Sequence, residues 1–127
     1  MQGNSILVTG GAGFIGSNLA NALAADNEVV VVDDEHLGTP ANLDEAVQYR
    51  RASVLDEDLP TGVDVLYHLA ALSSYAMHEA DPTTGARVNV EGFVNVVEQA
   101  RQDGCGTAVY ASTLTRAPVV GSSSCIA

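Results

Sequence analysis

The sequence predicts an α/β chain: a parallel, doubly wound sheet of about five strands with helices on both faces. Three observations predict it. Apolar strand-like and helix-like stretches alternate along the chain. A glycine turn, Gly10–Gly16, joins the first strand to the first helix. An acid, Asp33, closes the second strand roughly twenty residues after the glycines.

The elements follow in order. Residues 5–9 are the first strand and 13–25 the first helix. Residues 28–33 are the second strand, whose four consecutive valines suit a strand buried on both faces. Residues 34–46 read as loop, with a short helix expected at Asn42–Ala46. Gln48–Val54 is a third strand, polar enough to lie near the sheet edge. Asp56–Leu59 is a turn of helix or a loop that Pro60-Thr61-Gly62 breaks, and Val63–Leu69 is the fourth strand. Asp81-Pro82 starts a helix, with Asp as cap and Pro in the first turn. That helix runs to about Asp103 and is expected to bury Ala86, Val90, Phe93, Val94, Val97 and Ala100. Gly104 and Gly106 end it. Thr107–Ala111 is the fifth strand. Short connections between alternating elements give right-handed crossovers and a Rossmann-like sheet, incomplete at about five strands.

Gly10, Gly13 and Gly16 carry the spacing G-x-x-G-x-x-G between a strand and a helix. A pyrophosphate needs backbone N–H groups without side chains in the way, and the first helical turn supplies them with a partial positive charge. A carboxylate at Asp33 can accept both ribose hydroxyls of an adenosine and would repel a 2′-phosphate, which favours NAD over NADP. A kinase-type phosphate loop is excluded, because it needs Gly-Lys-Ser/Thr and the chain contains no lysine. A methyltransferase binding S-adenosylmethionine is disfavoured by the second glycine pair, Gly13 and Gly16. The bland alternative is a cluster of turn glycines and a strand-ending acid.

Length fits one small domain or part of a larger one, at 127 residues. Apolar content is 46%, with no Trp and two Phe, so the core should be aliphatic. No apolar run approaches the ~20 residues of a membrane span, and no signal peptide pattern leads the chain; the expectation is a cytoplasmic protein. Cys105 and Cys125 lack metal-ligand or redox spacing, and His36, His68 and His78 are scattered, so no metal site is expected. Sixteen acidic residues against five arginines give a formal net charge of −11. That disfavours nucleic acid as a partner. Two readings of the charge stand: a halophilic cytoplasm whose salt screens the self-repulsion, or an ordinary acidic protein from a GC-rich genome.

Four stretches resemble the NAD-dependent epimerase/dehydratases of the extended short-chain dehydrogenase/reductases, most closely those of the UDP-glucose 4-epimerase type. They are Val8–Ser17, Tyr67–Ala71, Asn89–Gly92 and Val109–Thr113. The resemblance implies NAD as cofactor and a nucleotide sugar as partner of the full-length family. It implies that Gly10, Gly13, Phe14, Ile15 and Gly16 hold the pyrophosphate. Asp33 would bind the adenosine ribose, with Asp34 beside it. Ser53 and Val54 align with an acid–apolar pair at the adenine; because Ser53 replaces the acid, Asp56 is the alternative contact. Leu69, Ala70 and Ala71 would follow the nicotinamide half. Asn89 would sit near the cofactor, or else make a local helix hydrogen bond. Ser112 would pack beside the nicotinamide, and Thr113 takes the catalytic Ser/Thr position.

In that family a tyrosine phenolate removes a proton from the sugar hydroxyl while hydride passes to NAD. A lysine four residues later helps lower a tyrosine pKa whose ordinary value is ~10. None of Tyr49, Tyr67, Tyr75 and Tyr110 has such a lysine. Residues 1–113 are therefore expected to be the N-terminal part of an NAD-binding domain, with the substrate lobe absent. Residues 114–127 fit nothing in the family pattern and read as out-of-frame sequence, a truncated product or a divergent tail. The short chain is expected to be inactive, and to be poorly stable or to associate with itself or a partner. The alternative is a non-catalytic NAD-binding module or pseudoenzyme.

Overall fold

The computed structural model describes residues 1–111. Five strands, β1 (Ser5–Thr9), β2 (Glu28–Asp33), β3 (Gln48–Arg51), β4 (Val65–His68) and β5 (Thr107–Tyr110), form one sheet in the order β3-β2-β1-β4-β5. Every pairing is parallel, with Leu7 opposite Val30 on one side and Leu66 on the other. This is the expected Rossmann-like sheet. The strand order reverses between β1 and β4, the place where doubly wound sheets open a crevice at their carboxyl ends.

Period-2 alternation divides the strand side chains between two layers. Ile6, Val8, Val29, Val31 and Val65 face one layer, where helix α1 (Phe14–Ala24) packs Ala20, Leu23 and Ala24 against them. Leu7, Val32 and Leu66 face the other, under Val96 and Ala100 of helix α4 (Gly92–Gln102). Ile6, Leu7 and Leu66 are fully buried, each worth about 1.5–3 kcal/mol of transfer free energy.

Several boundaries differ from expectation. β3 stops at Arg51, because the chain then turns through hydrogen bonds between residues 53 and 56. β4 is shorter than expected at both ends, with Val63 and Asp64 tied instead to Thr61 and Ser5. The short helix expected at Asn42–Ala46 is a 3-10 turn at Pro40–Asn42, capped by the Thr39 hydroxyl. A helix α2 (Tyr75–Ala80) lies in a stretch the sequence left unassigned.

The long helix after Asp81 is divided. Asp81 accepts from Thr84 N–H and caps helix α3 (Pro82–Ala86), as expected. A π turn (Arg87–Glu91) separates α3 from α4. The expected buried face is only partly right. Val97 is half-buried and Ala100 buried, but Ala86 is exposed, and Val90 and Val94 are 63% and 58% exposed. Two physical causes account for this. The π turn interrupts the 3.6-residue repeat. Polar side chains also take part of the inward face: Asn95 donates to the carbonyls of Val54 and Asp56, both at 2.8 Å, and Gln99 donates to Asp56 at 2.9 Å and accepts from Leu59 N–H at 3.0 Å. Asp103 accepts from the buried Thr61 hydroxyl. The helix holds the 54–61 loop by hydrogen bonds that a hydrophobic pattern does not reveal.

Candidate functional site

The glycine turn sits where the strand order reverses. Gly10 N–H donates to Val32 O at 2.8 Å, and Gly10 itself has φ +69°, a left-handed conformation costly for any residue with a Cβ. A Cβ at Gly10 would lie 2.7 Å from the backbone N and Cα of Ala70. A Cβ at Gly16 would lie 2.3 Å from Gly10 O. These two glycines bring the turn against the end of β4 and the first helical turn against the loop. Gly13, the N-terminal cap of α1, is different: a Cβ there would meet only Gly10 O, at 3.4 Å. Packing within the chain does not demand glycine at 13, but the residue borders an open cavity. A bare backbone there leaves room for a ligand at the helix N-terminus.

That cavity, about 500 Å³, runs across the carboxyl ends of the central strands. Gly10, Gly13, Phe14, Ile15 and Gly16 border it from the glycine turn, Asp33 and Asp34 from the end of β2, Val54 from the loop after β3, and Leu69, Ala70 and Ala71 from the end of β4. Eleven of the sequence-predicted positions thus meet in one groove. Val32, His36, Leu37, Gly38, Ala52, Leu72, Val88 and Ala111 also border it and were missed. Proximity to strand ends was the available signal for most of them. His36–Gly38 lay in a loop that composition marked as polar and glycine-containing, with nothing to say which way it folds.

Asp33 is buried, and its carboxylate is already organised. Oδ2 accepts from Ala12 N–H at 3.0 Å and Oδ1 from Glu35 N–H at 2.8 Å. Each carboxylate oxygen can accept more than one hydrogen bond, so acceptor capacity remains. Its carbonyl takes Ala52 N–H at 3.1 Å. The neighbouring Asp34 is exposed and accepts from His36 N–H.

Three predicted positions stand apart from the groove lining. Ser53 and Asp56 close a local turn: Asp56 accepts Ser53 N–H at 2.9 Å, and the Ser53 hydroxyl accepts Leu55 N–H at 3.2 Å. Asn89 does not border the groove, and its amide bonds reach outside its own helix. Its Oδ1 accepts Leu72 N–H at 2.8 Å and its Nδ2 donates to Leu72 O at 2.9 Å, pinning the segment that carries Leu69–Ala71. Ser112, Thr113 and residues 114–127 lie outside the described residues.

One group that the sequence reading left without a role is His68. It is buried, shares a 2.8 Å hydrogen bond with the Thr9 hydroxyl through Nδ1, and packs against Phe93 and Tyr110, whose rings also contact each other. Burial holds its pKa down to about 4, so the ring is neutral at pH 7. Among the described residues, no group of three or more His, Cys, Asp or Glu is placed to hold a metal ion, and no helix is long and apolar enough to cross a membrane.

Parallel strands in this order, with a glycine turn at the reversal point, define a Rossmann-like α/β protein with a ligand groove at its strand ends. Residues 6–124 match the model of the NAD dependent epimerase/dehydratase family, and the chain belongs to that family. A UDP-glucose 4-epimerase of Mycolicibacterium smegmatis is 40% identical over 119 residues, which span 84% of this chain and 38% of the relative. The crystal structure of a UDP-glucose 4-epimerase with UDP-glucose from Thermotoga maritima aligns with a TM-score of 0.80 and 32% identity, over 86% of this chain and 38% of that one. The UDP-glucose 4-epimerase of Thermus thermophilus in complex with NAD aligns with a TM-score of 0.73 and 32% identity, over 86% and 37%. The chain spans less than two fifths of the length of each of these proteins.

Proposed function

We propose that this chain is the NAD-holding part of a nucleotide-sugar epimerase/dehydratase, residues 1–113 being the N-terminal portion of its dinucleotide-binding domain. One observation carries the reading: the glycine turn and the Asp33 carboxylate border the same groove, at the point where the strand order reverses. The residues fit the cofactor. Gly13 leaves the N-terminus of α1 bare for a pyrophosphate, with Gly10, Phe14, Ile15 and Gly16 around it. Asp33 offers ribose hydroxyls its remaining acceptor sites, with Asp34 beside it. Val54 supplies an apolar wall for adenine, and Ser53 acts on that wall only through its turn. Leu69, Ala70 and Ala71 line the nicotinamide half, and Asn89 fixes that segment through Leu72.

When bound, NAD supplies a hydride acceptor that can later return the hydride. This chain's residues would orient the cofactor, with Leu69–Ala71 and Ala111 bordering the part of the groove that would take its nicotinamide end. Ser112 and Thr113 follow directly in sequence, and their hydroxyls are proposed to meet the nicotinamide and the sugar. No Tyr-x-x-x-Lys pair stands within these 127 residues. That favours a second reading of the chain by itself: an NAD-binding module that turns nothing over. Exposed Val90, Val94, Val109 and Tyr110 are apolar surface on which self-association would rest. A cytoplasmic setting is proposed with it.

Titration calorimetry of the purified chain with NAD tests the binding reading. One saturable site is expected, and no heat of binding at millimolar NAD overturns it. A coupled UDP-galactose to UDP-glucose assay tests the second reading: no turnover is expected, and measurable epimerisation contradicts it.

A further inference from the structure

Among the described residues, Glu35 alone combines a side chain with a positive φ, +63°. A glutamate pays a steric penalty in that region that a glycine would not. Such conformations persist where the surroundings over-determine them, and they gather at functional sites. Here the surroundings are explicit. Glu35 N–H donates to Asp33 Oδ1 at 2.8 Å. The Tyr49 hydroxyl donates to Glu35 Oε1 at 2.8 Å and approaches Asp33 O at 3.4 Å. Arg51 Nε stands 3.8 Å from the same Glu35 oxygen, an exposed contact of little weight. Glu35 itself is absent from the groove lining, whereas its neighbours Asp34, His36, Leu37 and Gly38 form the wall beside Asp33.

The far end of this wall is tied to the glycine turn. Thr39 N–H and Asn42 Nδ2 both donate to Ala12 O, at 3.1 and 3.0 Å, and a Cβ at Gly38 would lie 2.7 Å from the Ala12 carbonyl carbon. Ala12 N–H in turn donates to Asp33 Oδ2. The Asp33 carboxylate therefore bridges the glycine turn on one oxygen and the Glu35 loop on the other.

We propose that Glu35 is a positioning residue for cofactor choice: clasped by Tyr49, it holds the 34–38 wall around Asp33, so that the ribose end of the groove takes hydroxyls and excludes a 2′-phosphate. The proposal rests on the groove being an NAD site. With the clasp broken, the wall relaxes, Asp33 loses the N–H that orients one oxygen, and the carboxylate is free to turn from the ribose.

The test measures NAD and NADP dissociation constants by calorimetry for the wild-type chain and for Tyr49→Phe, Glu35→Gly and Glu35→Gln, with melting temperatures alongside. Tyr49→Phe removes one hydroxyl at a half-buried edge position, and Glu35→Gly accepts the backbone conformation without strain, so at least one variant should fold. Preference for NAD over NADP should fall about tenfold in both, the weight of one charge-assisted hydrogen bond. Glu35→Gln keeps the acceptor oxygen and should keep the preference. Lower melting temperatures with unchanged preference would make the clasp a structural brace and overturn the proposal, as would loss of preference in Glu35→Gln. A wild-type chain that binds no NAD overturns the reading of the groove and the proposal with it. A chain that binds NAD while every variant keeps its preference overturns the role of Glu35 alone.

Discussion

The side-chain amide of Asn89 forms a two-bond ring with the backbone of Leu72, accepting its N–H at 2.8 Å and donating to its carbonyl at 2.9 Å. The long helix thereby fixes the loop after β4 across 17 residues of sequence. Replacing Asn89 by Leu removes both bonds while keeping the number of side-chain heavy atoms. The expected cost is about 1–3 kcal/mol, from roughly 0.5–1.5 per bond, read as a lower urea midpoint. Amide exchange across residues 70–73 should quicken in the variant. An unchanged midpoint and unchanged exchange would show that the ring does not hold the loop.

His68 predicts a pH dependence of stability. Its pKa is about 4 in the folded chain against ~6.5 unfolded. Below pH 6.5 the unfolded chain takes up the proton first, so stability is fully present above that pH and falls as pH drops toward 4. The loss reaches on the order of 3 kcal/mol, at 1.36 kcal/mol per pKa unit. Urea melts between pH 7 and 4 check it. His68→Gln should flatten the part of the slope centred between pH 6.5 and 4, and an identical slope in the variant would exclude His68 as its source.

Gly16→Ala tests the close approach at the helix start. The added methyl would lie 2.3 Å from Gly10 O, so the turn must shift. Overpacking of this kind costs about 1–3 kcal/mol. Because the displaced atoms border the groove, NAD binding should weaken by more than tenfold, measured by calorimetry at a temperature where the variant is folded. Retention of wild-type affinity would separate the turn from the ligand site.

The charge of −11 predicts a response to salt. Self-repulsion among exposed carboxylates is screened within about 3 Å at molar ionic strength. Under the halophilic reading, the melting temperature rises steadily from low to molar KCl. A flat curve supports the ordinary acidic reading.

Much of this fold was legible because its signals are local. Four valines before Asp33 and the strand–glycine–helix run at 5–25 each specify one element and its neighbour. Asp33 was legible as a groove residue because its distance from the glycines reflects one βαβ unit. The partner of Asn89 was not legible, since its bonds go to a backbone 17 residues away. The wall formed by His36, Leu37 and Gly38 was not legible: its course depends on one left-handed glutamate and on hydrogen bonds to Ala12. The helical face was misjudged at Val90 and Val94 because Asn95 and Gln99 face inward on polar bonds, which periodicity scores as outward.

The π turn at Arg87–Glu91 gives the long helix two phases. Asn89, within the turn, is set for the loop after β4, while Asn95 and Gln99 are set for the loop after β3. Deleting one residue between 87 and 91 would restore an even α-helical winding and rotate everything beyond it by about 100°. The helix could then serve one loop or the other, but not both. The surplus residue acts as a phase shifter that lets a single rod address two walls of the same groove.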